Sequence, residues 1–314
     1  MPRPADGTPT VETTTFDAHG VTFTVSSPDD AVVAAFDDLL VDFRAAGAPG
    51  ASGAGPVLRF TVEETPAAGN DDTWYRVTAG DEVVYPSLLE GSLVSHLLMD
   101  VNARAAAACR SERTVPLHAG TVAGAHGAIV LPGASHSGKT TITTALAAAG
   151  HAFVADEVSR LDPDELTIAP YGKPVALRAA SVELLAPTIA RLRRPGSRFE
   201  VDERFVPPSE LSSSLGARAG QGEAAGLASG PVAVSAIVFP RFDREGPHRF
   251  APLGQAETLE RLIQCTLGTA TTAIGADVFR ILERLVRAVP GHELVYTDLP
   301  DALDELSPLV DDSA

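Results

Sequence analysis

Gly133-Ala134-Ser135-His136-Ser137-Gly138-Lys139-Thr140-Thr141 is the stretch whose reading decides the fold. A short apolar run, residues 128–131, precedes it, and an Ala-rich helical pattern over 141–149 follows, with Gly150 as its stop. Strand, glycine loop and helix in that order fit the Walker A pattern. Glycines let the backbone turn so that successive N–H groups face one anion. The helix start adds its positive end. On this reading Gly133, Ala134, Ser135, His136, Ser137, Gly138, Lys139, Thr140 and Thr141 hold the phosphates of ATP. Lys139 reaches the β- and γ-phosphates, and the Thr140 hydroxyl binds Mg²⁺. His136 either faces solvent or adds a cation near the phosphates.

Working outward, residues 152–154 predict a buried strand next to the loop, ending at Asp156-Glu157. Carboxylates there can hold Mg²⁺ or take a proton from an attacking hydroxyl. Asp156 comes first off the strand, so it is the first choice for base and a candidate metal ligand, with Glu157 beside it. Upstream, a hairpin of 117–123 and 127–132 would bring His118 to the phosphate loop; a histidine so placed is either structural or catalytic.

The chain has 314 residues and contains only two lysines, Lys139 and Lys173. Against an arginine-rich background these positions are informative, because a compact ammonium is not readily replaced by a planar guanidinium. Lys173 lies in a Pro/Gly turn, where phosphate or substrate contact and plain solvation weigh evenly. Arg191, Arg193, Arg194 and Arg198 form a basic cluster. Arg191 and Arg194 are candidates to grip an anionic substrate. A solvated helix face paired to Glu200, Asp202 and Glu203 explains the cluster slightly better.

The formal net charge of −17 argues against nucleic-acid and anionic-membrane partners. No apolar run approaches the roughly 20 residues needed to span a bilayer, and the polar N-terminus lacks a secretory h-region. Cys109 and Cys265 form neither a disulfide framework nor a metal knuckle. The expectation is a reduced, cytoplasmic protein, compatible with a homo-oligomer. Residues 1–15 read as a flexible tail and 16–110 as a small N-terminal α+β domain. That domain has strands at 21–25, 57–62 and 74–77, helices at 31–43 and 88–109, and a linker at 46–56. Residues 111–314 read as the P-loop domain, with a mobile loop at 216–230, a strand at 233–239, helices at 256–267 and 276–289, and a last strand at 294–296.

Taken together, His118-Ala119-Gly120, the 133–141 loop, Ala155-Asp156-Glu157 and Pro170-Tyr171-Gly172-Lys173-Pro174 resemble the catalytic domain of HPr kinase/phosphorylase. The similarity is closer to HPr-kinase-related kinases, including those that accompany lasso-type peptide gene clusters. It spans roughly residues 85–300. It implies an α/β, P-loop core of the HPr kinase and phosphoenolpyruvate carboxykinase type. It also implies transfer of the γ-phosphoryl group of ATP to a serine-like hydroxyl of a peptide, protein or small molecule, with His118 and Asp156 or Glu157 at the reacting hydroxyl. Two departures bear on this. Those kinases carry two aspartates where this chain has Asp156-Glu157. Their later glutamate-arginine-glycine signature has no good match, which argues against HPr as substrate and against the reverse reaction. The alternatives are a nucleotide-dependent binding or regulatory module, an NTPase with water as acceptor and, more weakly, a carboxykinase.

Overall fold

The computed structural model describes residues 10–44, 57–66, 72–211, 226–268 and 275–311. The chain begins with strands β1 (Val11–Glu12), β2 (Phe16–Ala18) and β3 (Val21–Ser27), then helix α1 (Asp30–Leu39). Strands β4 (Leu58–Thr65), β5 (Trp74–Ala79) and β6 (Glu82–Leu89) follow, and helix α2 (Leu93–Ser111) closes this part. The six strands form one sheet in the order β1-β3-β4-β5-β6, with β2 also on β3. Asp29 caps α1 by accepting from the Ala31 amide at 2.9 Å.

Two expectations for this region are corrected. Residues 11–12 are not tail, since Val11 and Glu12 pair with Ser27 and Ser26. Residues 88–89 belong to β6, so α2 starts later than its apolar spacing suggests. The apolar alternation of a strand runs here into the first apolar residue of a helix, and periodicity alone does not mark the join. Met99, counted with the apolar face, is 55% exposed. Leu93, Val94, Leu97, Leu98, Val101 and Ala105 carry the buried face; each large aliphatic contributes about 1.5–3 kcal/mol by leaving water.

The second part comprises β7 (Val115–Leu117), β8 (Ala119–Gly124), β9 (Gly127–Pro132), α3 (Lys139–Ala148), β10 (Ala152–Ala155), β11 (Ser159–Leu161) and β12 (Thr167–Ala169). After these come β13 (Val175–Arg178), α4 (Ala179–Leu185), β14 (Glu203–Val206), β15 (Val232–Phe242), β16 (Arg249–Leu253), α5 (Gln255–Gln264), α6 (Ala276–Ala288), β17 (Gly291–Tyr296) and α7 (Leu299–Val310). Nine strands form a mixed sheet, in the order β10-β8-β9-β15-β12-β11-β7, with β17 on β15 and β16 on β17. β9, β15 and β17 run parallel, whereas β8 and β10 are antiparallel to their neighbours. One face packs on α3 and α7 through Ile142, Leu146, Leu299 and Leu306. The other packs on α5 and α6 through Leu262, Leu282 and Leu285. The protein is therefore of mixed α/β class.

β8 and β9 form the expected hairpin, Ala119 opposite Pro132, but Leu117, expected in its first strand, lies in β7, which pairs with β11. The strand ending at Asp156 differs from expectation: β10 pairs with β8, not with β9, and so lies one strand farther from the loop. Residues 216–225 of the expected mobile loop, and the 46–56 linker, lie outside the described residues. Residues 226–228 are held: Phe153 donates to the Gly226 carbonyl at 3.1 Å, and Ala228 donates to that of Phe153 at 2.8 Å. Among the described residues, no helix is long and apolar enough to cross a membrane.

Candidate functional site

The 133–138 loop leaves the end of β9 and enters α3 at Lys139. Gly133 donates to the His118 carbonyl at 3.3 Å, and Phe242 donates to the Ser137 carbonyl at 3.2 Å. The loop is thus fastened to the strands on both sides of β9. Gly138 has φ +91°, and a Cβ there would stand 1.8 Å from the Tyr296 hydroxyl. Only glycine meets both demands. Gly138 supplies no side-chain cap to α3, so the N–H groups of the first turn need partners from outside the helix. Inside the loop the Ser137 hydroxyl is buried without a hydrogen-bond partner among the described residues. α3 is buried nearly all round, and its inner hydroxyls are satisfied locally: Thr143 donates to the Lys139 carbonyl at 2.8 Å and Thr144 to that of Thr140 at 2.7 Å.

Thr140 and Asp156 meet at the start of α3. The Thr140 hydroxyl donates to the Asp156 carboxylate, 3.1 Å from Oδ2 and 3.3 Å from Oδ1. Asp156 is 1% exposed. Burial raises its pKa from 3.8 to about 6, against the opposing pull of Lys173, of Lys139 and of the Thr140 hydrogen bond. Glu157 behaves oppositely. Lys173 comes first among the charges that hold its carboxyl below the usual range, ahead of His118 and Lys139. The Lys173 ammonium stands 3.6 Å from Glu157 Oε2, and the Asn102 side-chain amide donates to the same oxygen at 3.1 Å. Glu157 has φ +70°, an uncommon conformation for a side-chain-bearing residue.

Both lysines are buried, Lys139 at 6% and Lys173 at 2% exposure. A solvated turn lysine is thereby ruled out for Lys173. Its loop is placed by Tyr171, whose amide donates to the Val154 carbonyl at 2.7 Å, and by Gly172, where a Cβ would stand 2.1 Å from the Asp42 carbonyl oxygen. His118, half-buried between β7 and β8, donates its amide to the Cys265 carbonyl at 2.6 Å. Burial first, then Lys139, lowers its pKa against the opposing charge of Glu157, a shift that favours the neutral imidazole. His118, Glu157 and Asn102 line a cavity of about 300 Å³, walled by Ala103, Ala106, Val158 and Leu267 and edged by Arg110.

The remaining candidates lie elsewhere or are engaged. Ala134, Ser135 and His136 are exposed on the loop, with His136 at φ +68° and its ring within 2.7 Å of the Arg178 guanidinium. Thr141 shares a hydroxyl hydrogen bond with Ser181 at 2.8 Å, so its side chain faces α4. Arg191 contacts Asp38 and Glu210, each at 2.6 Å, and its side chain is 13% exposed. Arg198 pairs with Asp29 at 2.6 Å and Glu90 at 3.3 Å. Arg191 and Arg198 therefore tie the second part to the first, whereas Arg193 donates to the nearby Ala186 and Pro187 carbonyls. Arg194 is exposed, and its carbonyl accepts from Arg204 at 3.0 Å.

Sequence reasoning missed Asn102 and Tyr171 as a pair. The Tyr171 hydroxyl donates to Asn102 Oδ1 at 2.7 Å, while the other end of the amide holds Glu157. A carboxylate accepts only, which fixes the amide orientation. Tyr171 also stacks on His19, ring centroids 4.4 Å apart. Tyr171 stood inside a noted motif, but Asn102 carried no signal: it is one polar residue on a long helix.

These residues suit a hard divalent cation held beside a phosphate chain. The Thr140 hydroxyl and the Asp156 carboxylate lie side by side, and the Ser137 hydroxyl inside the loop has no partner among the described residues. Among the described residues no group of three or more His, Cys, Asp or Glu gathers as a metal site. Mg²⁺ needs no such group, since it takes one or two protein ligands and completes its shell with phosphate and water. No family model matches the sequence, and no curated protein matches it.

Proposed function

We propose that the protein is an ATP-dependent phosphotransferase with an HPr-kinase-like P-loop core, acting on a serine-like hydroxyl of a peptide, protein or small molecule. The observation that carries this reading is the meeting of Thr140 with Asp156 at the loop's helix, at 3.1 Å, beside a cavity lined by Glu157 and His118. Lys139 and the loop amides hold the phosphates. Thr140 and Asp156 would hold Mg²⁺, which would supply positive charge against the charge developing on the transferred phosphoryl group.

The two carboxylates are assigned different roles. Asp156 is enclosed and bonded to Thr140, which suits a metal ligand. Glu157 faces the cavity, which suits the group that orients the acceptor and takes its proton. The acceptor oxygen bonds to the γ-phosphorus, the bond from that phosphorus to the bridging oxygen breaks, and ADP leaves. The acceptor proton passes to Glu157 or to neutral His118. Neither is a strong base, but in a loose phosphoryl-transfer transition state positioning and charge stabilisation supply most of the catalysis.

The test is turnover. The full chain is incubated with γ-labelled ATP, Mg²⁺ and panels of hydroxyl compounds and peptides. Label on an acceptor, lost in Lys139→Ala, supports the reading. ADP release that no acceptor accelerates would instead indicate an NTPase, and ATP binding without turnover a regulatory module.

A further inference from the structure

We propose that Phe242, backed by Tyr296, is the platform on which the nucleobase of the bound triphosphate stacks; this rests on the phosphotransferase reading above. Phe242 ends β15, and its ring is 46% exposed although an apolar ring gains by burial. Its backbone amide is bonded to the Ser137 carbonyl at 3.2 Å, so the ring stands at the edge of the phosphate loop. The Tyr296 ring lies 5.4 Å from it, centroid to centroid, and the Tyr296 hydroxyl lies against Gly138. Val238 and Tyr296 belong to the cluster that includes Ile142 of α3. Side chains alternate along a strand, so Phe242 faces the same side of the sheet as Val238, the side on which α3 starts.

The sheet order says which end of the nucleotide belongs here. β9, which delivers the loop, lies between β8 and β15. The groups assigned to the acceptor are on the β8 side: His118 just before β8, and Glu157 just after β10. In an in-line transfer the new bond to the γ-phosphorus forms on one side and the bond to the bridging oxygen breaks on the other. With the acceptor on the β8 side, the diphosphate and nucleoside extend towards β15 and β17, where Phe242 and Tyr296 are. From β10 to β15 is three interstrand spacings, about 14 Å, across which a triphosphate can lie. The charges flanking the ring pair with each other, Arg241 to Asp243 at 3.0 Å. A flat ring without polar readout stacks on any base, so the platform should contribute affinity and discriminate little between adenine and guanine.

The test is calorimetric titration of the full chain with Mg–ATP, Mg–GTP and Mg–tripolyphosphate. Phe242→Leu keeps an apolar contact with Tyr296 but removes the π-face, and Phe242→Trp enlarges it. Phe242→Leu should weaken both nucleotides about tenfold and leave tripolyphosphate unchanged. Phe242→Trp should bind the nucleotides at least as tightly as the parent. Unchanged nucleotide affinity in Phe242→Leu would overturn the platform. Equal loss of tripolyphosphate would overturn it too, by making Phe242 a support for the loop. A parent protein that binds neither nucleotide nor tripolyphosphate refutes the phosphate site itself, a separate and recognisable failure that removes the platform with it.

Discussion

Replacing Asp156 by Asn should make the ligand-free protein more stable while abolishing its Mg²⁺-dependent affinity for ATP. The carboxyl is 1% exposed, and burial lifts its pKa from 3.8 to about 6 despite Lys173, Lys139 and the Thr140 hydroxyl. One pKa unit corresponds to about 1.4 kcal/mol. At pH 8 the ionised Asp156 therefore costs the fold on the order of 3 kcal/mol. The folded chain binds this proton more tightly than the unfolded chain does. The favourable contribution is accordingly full below the unfolded-state value and is lost as pH rises through about 6. Asparagine has no such proton to lose. The variant's advantage should be largest at pH 8, fall to roughly half at pH 5 and nearly vanish below pH 4. Urea unfolding at several pH values measures it, and at pH 8 the thermal midpoint should rise by several degrees. A variant less stable than the parent at pH 8, or a difference that ignores pH, would refute the idea of a charge held in place against its own desolvation. The functional half is separate. ATP affinity that stays normal with Mg²⁺ would remove Asp156 from the metal and return it to the acceptor.

Lys139→Ala and Thr140→Ala should each lose Mg–ATP binding or turnover by orders of magnitude with the fold intact by circular dichroism, since each removes a phosphate or metal contact; normal affinity and rate in both would end the phosphate-loop reading. Glu157→Gln and His118→Ala should keep near-normal ATP affinity, and at least one should lose roughly 10²-fold in transfer to an acceptor; wild-type transfer in both would leave the cavity without a base. Asn102→Asp sets a second carboxylate against Glu157 and Tyr171→Phe frees the amide to turn, so carbon NMR should find the Glu157 pKa raised in both, more in the first; an unmoved titration would make the pair purely structural. Gly138→Ala should cost at least about 1–2 kcal/mol of stability from the left-handed backbone alone, with the clash against Tyr296 added, and a variant that melts with the parent would mean the loop has another conformation open to it.

What could be read from the chain alone was local. The strand, the glycine loop, the helix and the β8–β9 hairpin are written in short-range turn chemistry and alternation, which act over a few residues whatever surrounds them. The mixed α/β class follows from the same patterns. So does the chemical identity of Lys139, Thr140, Asp156 and Glu157 as candidates, because lysine is scarce and the carboxylates end a strand. The tertiary structure decided everything that depends on which distant segments touch. β10 lies beside β8 rather than β9. Lys173 is buried against Glu157, and Arg191 and Arg198 reach Asp38 and Asp29 of the N-terminal segment, Arg191 sharing itself with Glu210, rather than pairing with Glu200, Asp202 and Glu203. Asn102 reaches Glu157 and Tyr171 across long stretches of chain. The opposite pKa shifts of adjacent Asp156 and Glu157 arise only there. Desolvation and Coulomb interaction depend on distances through space, and separation along the chain does not encode them.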